Sequence, residues 1–222
     1  MKIIIFGASG MVGQGVLREA LLAPDVEQVL LVGRTAVPQQ HAKLQQLMHT
    51  DMMNYGGLEE RLSGYDACFF CLGVSAIGRS EARYARLTYD YTMAAAQPLA
   101  QHNPNMAFVY VSGAGTDSTE KGGSMWARVK GRTENALQRL PFKAVYLFRA
   151  GAIEPLNGTR SKTLPYRFIY AVSWPFMPLM RKWWPRSVLS TEIVGQAMLA
   201  AARGKRAGGV METGDIYDLS KA

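Results

Sequence analysis

The most constraining feature of this chain is the order of its first twenty residues. An apolar run of strand length, Lys2-Ile3-Ile4-Ile5-Phe6, breaks at Gly7-Ala8-Ser9-Gly10-Met11-Val12-Gly13 and continues as a helical pattern to Ala23. Val16, Leu17, Ala20 and Leu21 recur there at helical spacing. A strand that passes through a glycine turn directly into a helix is the opening of a βαβ unit. Gly7 allows the sharp turn, Gly10 allows close approach of a ligand to the backbone, and Gly13 allows the helix to lie tightly on the strand. The amide groups from Ser9 to Val12, at a helix N-terminus, form a cradle for phosphate.

The alternation persists. Strands are expected at Gln28–Val32, Leu44–Met48, Asp66–Leu72, Ala107–Ser112 and Lys143–Phe148. Helices are expected over Arg79–Gln101, Ser124–Leu140 and Thr191–Arg203, the last capped by Ser190 or Thr191. This order predicts an α/β fold, a doubly wound parallel sheet of Rossmann type with helices on both faces. After Gly151 the alternation is expected to stop. Residues 155–190 then read as a small C-terminal helical cover over the substrate side, within a single domain of residues 1–222.

The residue after the second strand selects between dinucleotides. An acid there would accept from a ribose 2′-hydroxyl and repel a 2′-phosphate. Here the sequence is Gly33-Arg34-Thr35. A guanidinium binds phosphate through paired hydrogen bonds, so NADP is expected over NAD.

Composition narrows the remaining choices. Cys68 and Cys71 are spaced C-x-x-C, but on a strand they face opposite sides, which predicts two small buried residues and no redox pair. The net charge of +8 is concentrated late, at Arg160, Lys162, Arg167, Arg181, Lys182, Arg186, Arg203, Lys205 and Arg206. No nucleic-acid-binding signature accompanies it, so a solvated basic surface is expected and nucleic acid is not. Trp174, Trp183 and Trp184 beside Arg181, Lys182 and Arg186 have the composition of an interfacial anchor. Peripheral membrane contact through Trp174–Arg186 is the second expectation. The apolar run at the N-terminus is too short for a signal peptide, which predicts a cytoplasmic location, peripheral to the inner membrane face if the anchor acts.

Further segments come in order: Cys71-Leu72-Gly73, Asp90-Tyr91, Val111-Ser112-Gly113, Val129-Lys130-Gly131, Phe148-Arg149-Ala150-Gly151, and a tail from Met211-Glu212 to Asp218-Leu219. With the glycine turn, this set resembles the atypical short-chain dehydrogenase/reductases, closest to the branch of Tat-interacting-protein-like oxidoreductases and putative epimerases. The resemblance implies that Asp51 and Met52 sit beside the adenine and that Cys71, Leu72 and Gly73 line the cofactor with backbone. It implies that Ser112 contacts a substrate carbonyl and that Ile153 faces the nicotinamide carboxamide. Lys130 would hold the nicotinamide ribose and ease ionisation of a tyrosine four residues earlier. That position is Trp126. An indole N–H donates a hydrogen bond but cannot ionise usefully, so the family's general acid is missing.

Three readings follow. The first is an NADP(H)-dependent oxidoreductase acting on an apolar carbonyl or quinone-like molecule, its proton coming from Tyr84, Tyr89, Tyr91, Tyr166, Tyr170 or water, or scarcely needed. The second is a catalytically inactive NADP(H)-binding regulator or interaction protein. The third is a nucleotide-sugar epimerase-like enzyme, disfavoured by the apolar composition of Leu164–Trp184. That composition predicts an apolar or aromatic small-molecule substrate. No metal is expected.

Overall fold

A computed structural model describes residues 1–159 and 186–222. Seven parallel strands form one sheet: β1 (Lys2–Phe6), β2 (Gln28–Gly33), β3 (Leu44–Met48), β4 (Ala67–Phe70), β5 (Ala107–Val111), β6 (Ala144–Arg149) and β9 (Gly209–Glu212). Their spatial order is β3-β2-β1-β4-β5-β6-β9. The chain winds outward from β1 to β3, then restarts at β4 on the other side of β1. The C-terminal ends of β1 and β4 therefore flank a topological switch point, where the crossovers diverge and leave a crevice.

Alternating residues of each strand supply two cores. Ile3, Ile5, Leu31, Phe69, Val109 and Phe148 pack on one face. This face is covered by α1 (Met11–Leu22), α5 (Thr191–Ala202) and α6 (Thr213–Leu219). Ile4, Phe6, Leu30, Val32, Cys68, Phe70, Phe108 and Tyr110 pack on the other. There the cover is α3 (Tyr91–His102) and α4 (Met125–Gln138), with α2 (Glu81–Ala85) leading through a π turn, Arg86–Asp90, into α3. The helix expected over Arg79–Gln101 is thus one continuous run with a widened turn, begun by Ser80, whose hydroxyl accepts from Arg83 N–H at 3.4 Å. Cys68 and Cys71 fall on opposite faces, as strand geometry requires, and both are free.

One feature departs from the expectation drawn from the sequence. Alternation does not stop at Gly151: β7 (Ala152–Glu154) pairs in parallel with β8 (Val188–Ser190), and β9 extends the main sheet beyond β6. Strands of three or four residues carry too little period-two signal to stand out from a sequence. Three of the late basic residues, all on the surface, have acidic partners. Arg203 binds Asp25 through two hydrogen bonds, Arg206 meets Asp215 at 2.9 Å and Arg186 meets Asp218 at 2.7 Å.

Helices α1 and α5 cross closely because glycine lines their contact. A Cβ at Gly15 would lie 2.5 Å from Thr191 Cβ, and one at Gly195 would lie 2.6 Å from Glu19 Cγ. Ser190 is the cap of α5, accepting from Ile193 N–H at 3.1 Å. Most of the expected cover, with Tyr166, Tyr170, Trp174, Trp183 and Trp184, lies outside the described residues. No helix among the described residues is long and apolar enough to cross a membrane, and none of their His, Cys, Asp and Glu side chains cluster as a metal site.

Candidate functional site at the switch point

The glycine turn is shaped to leave donors unpaired. Gly7 holds a φ of +78°, and a Cβ there would sit 2.6 Å from Leu72 N. Gly10 N–H bonds back to Gly7 O at 2.9 Å and closes the turn. Helix α1 then begins with no side-chain cap at Gly10 and no acid in its first turn. The first amides of a helix have no intrahelical acceptor, so those of Met11 and Val12, which line the cleft, are left for a ligand, with the positive end of the helix dipole behind them. Gly13 secures the geometry: a Cβ there would stand 2.2 Å from Gly7 O. Gln14 steadies the turn by donating to Ser9 O at 3.1 Å.

This turn forms one wall of a cleft of about 540 Å³. The cleft brings together Gly7, Ser9, Gly10, Met11 and Val12 with Arg34, Met52, Cys71, Leu72, Gly73, Ser112 and Lys130. Residues from six separate segments thus converge where the sequence reading placed a cofactor. Among the described residues, Arg34 is exposed at the cleft and makes no hydrogen bond or ion pair.

Four expected residues stand elsewhere. Gly13 packs helix on turn and does not line the cleft. The Asp51 carboxylate accepts from Met53 N–H at 2.9 Å, closing its own turn, while the neighbouring Met52 faces the cleft. Ile153 lies in β7 opposite Leu189 and is buried in the core. Trp126 is laid over the loop after β5: Cβ atoms at Gly113 and Gly115 would meet its ring at 3.7 and 3.6 Å.

Lys130 lies one helical turn after Trp126, and its Nζ donates to Val111 O at 3.3 Å. It also lies 5.2 Å from the centre of the Tyr110 ring. Burial brings its ammonium down to about 8, partly opposed by the Glu134 carboxylate on the next turn. Glu134 is itself buried and held by Arg149, whose NH2 group lies 2.6 Å from Oε2. That guanidinium also reaches Ser118 and Glu212. The Arg149–Glu134 pair therefore pins α4, and with it Lys130, to the end of β6.

Ser112 is buried at the end of β5, 3.1 Å from Thr116 Oγ1, which gives its own proton to Gly113 O at 2.7 Å. With that proton committed, the Ser112 hydroxyl donates to Thr116 and presents lone pairs to the cleft. Burial pushes the Cys71 thiol up to about 12, so it is no nucleophile near neutral pH. Tyr84, Tyr89 and Tyr91 are not among the cleft's described lining, and Tyr110 is buried with its phenol pushed far up by burial. Tyr166 and Tyr170 lie outside the described residues. Thr116, Glu134 and Gln46 escape sequence reading. Only Glu134 carried a signal, its position one helical turn after Lys130.

The chain is 26% identical to protein HTATIP2 of Rattus norvegicus over 155 residues, covering 68% of this chain and 62% of that protein. It is 29% identical to leucinostatins biosynthesis cluster protein T of Purpureocillium lilacinum over 172 residues, covering 74% and 62%. The chain thus matches under two thirds of the length of these relatives. Among solved structures, the Bordetella bronchiseptica enzyme WbmF in complex with NAD+ superposes with a TM-score of 0.69 at 18% identity, over 99% of this chain and 76% of WbmF. The resemblance to atypical short-chain dehydrogenase/reductases is borne out. A family model covers residues 3–121, from β1 through the loop after β5, and the chain belongs to the NAD dependent epimerase/dehydratase family.

Proposed function

We propose that this chain is an NADP(H)-dependent oxidoreductase that reduces an apolar carbonyl or quinone-like molecule. The observation that carries the reading is the cleft itself, with an uncapped glycine turn at one side, an unpaired Arg34 beside it and Lys130 at the other. The fit to a dinucleotide is good. Gly7 and Gly13 stand where any Cβ would collide with backbone, and the uncapped first amides of α1 suit phosphate oxygens.

In this reading the amides of Met11 and Val12 hold the pyrophosphate, Arg34 binds a 2′-phosphate and Met52 lies against the adenine. Lys130 donates to the nicotinamide ribose. When bound, the cofactor supplies a hydride to an electrophilic carbon, and the protein orients it and excludes water. Ser112, its proton on Thr116, accepts from a substrate hydroxyl more readily than it donates to a carbonyl. Lys130, with a pKa near 8, is the described lining group able to give up a proton near neutral pH. An acceptor that is reduced with little acid assistance suits such a site. NAD remains the less favoured cofactor.

The family match supports the epimerase-like reading at the level of ancestry. Trp126 in place of the tyrosine supports binding without chemistry as the second reading. Arg34→Asp tests the proposal. A charge-assisted pair contributes about 1.5–3 kcal/mol, so NADPH binding should weaken roughly 10- to 100-fold while NADH binding changes little. Equal loss of both in a dissociation-constant measurement would remove Arg34 from the 2′-phosphate.

A further inference from the structure

The loop that carries Arg34 leaves the sheet at Gly33, whose carbonyl still accepts from His49 N–H at 2.9 Å. Beyond that point the backbone has no strand partner. Arg34, Thr35 and Ala36 are exposed, and Val37 turns back into the core at 8% exposure. A buried backbone N–H and C=O need partners. Here one side chain provides both. The Gln46 amide, on the edge strand β3, accepts from Val37 N–H at 2.9 Å and donates to Val37 O at 3.0 Å. Gln46 thus replaces a strand where the ladder has ended, and both Gln46 and Val37 line the cleft beside Arg34.

We propose that Gln46 is a positioning residue for cofactor choice: by clamping Val37 it fixes the loop that presents Arg34, and so sets the preference for NADPH over NADH. This rests on the reading of Arg34 as the 2′-phosphate ligand. The clamp holds the Arg34 loop and is not bonded to the glycine turn or to Lys130, so its loss should fall on the ligand that needs the loop. A loop released from one conformation binds more weakly by the fraction of time it is competent.

The test is a double-mutant cycle read as NADPH and NADH dissociation constants, for the unaltered protein, Gln46→Met, Arg34→Ser and the double variant. Methionine keeps the length and apolar packing and removes both hydrogen bonds. The expected result is NADPH binding weakened about five-fold by Gln46→Met, with NADH changed by less than about two-fold. In the Arg34→Ser background, Gln46→Met should leave the ratio unchanged. An unchanged ratio in the single variant, an equal loss of both ligands, or the same loss without Arg34 would each overturn the proposal. If the unaltered protein shows no NADPH preference, the reading of Arg34 fails and the clamp's role with it. A retained preference that survives Gln46→Met refutes the clamp alone. Gln46→Asn, one methylene too short to span both groups, gives the same readout should the methionine variant not fold.

Discussion

Gly10→Ala separates a nucleotide cradle from a glycine turn that is only architecture. Gly10 has φ −83° and ψ 164°, a region open to any L-residue. A Cβ there would meet a single atom, Gly7 O, at 3.3 Å. The neighbour need give only a few tenths of an ångström, and the cap position has no side-chain bond to lose. The stability cost should stay below about 1 kcal/mol. On the cleft side the consequence is larger. Gly10 lines the cleft, and a methyl group adds about 1.5 Å of bulk to the wall where phosphate oxygens would approach their amide donors at about 2.9 Å. Pushing the phosphates off those donors should weaken NADPH at least about 100-fold, or roughly 2.7 kcal/mol. The assay pairs a thermal melt with a titration following NADPH fluorescence. A variant that melts near the unaltered protein and does not bind supports the cradle. A folded variant that binds NADPH within three-fold of the unaltered protein, against the about 100-fold expected, would refute it.

Two further outcomes bear on the chemistry. Restoring the family's acid with Trp126→Tyr should raise NADPH-dependent reduction of simple aldehydes and ketones by about ten-fold or more, measured by NADPH consumption. No rise would show that position 126 does not address the reacting atoms. Lys130 should leave a mark on stability. Its pKa falls from 10.5 unfolded to about 8 folded, so between those values the unfolded chain holds a proton that the folded one has released. Unfolding free energy contributed by Lys130 therefore rises with pH across that window. Chemical denaturation at pH 8, 9 and 10 should show a shallower rise for Lys130→Met than for the unaltered protein, and identical slopes would contradict the buried-ammonium account.

The sheet was legible because its central strands are long and apolar on both faces, as Lys2–Phe6 and Gln28–Gly33 show, and because Gly7, Gly10 and Gly13 punctuate the first crossover. The cofactor wall followed from that punctuation, and Arg34 from its place after β2. What escaped depends on side-chain pairings that only the folded loops bring about. In the sequence Gln46 is an unremarkable polar residue of an edge strand, and only the missing ladder at Val37 gives it a task. Thr116 decides which way the Ser112 proton points, and neither residue announces the pair. Arg206 and Asp215 meet across a loop and a strand. Asp51 and Ile153 came from the resemblance alone. Turn closure claims the first and the core claims the second.

Titration of the unaltered protein with NADPH and NADH, followed by nucleotide and tryptophan fluorescence, tests the central claim most directly. Saturable binding of both, with NADPH the tighter, is the result this account predicts. Failure of either nucleotide to bind, or a preference for NADH, would contradict it.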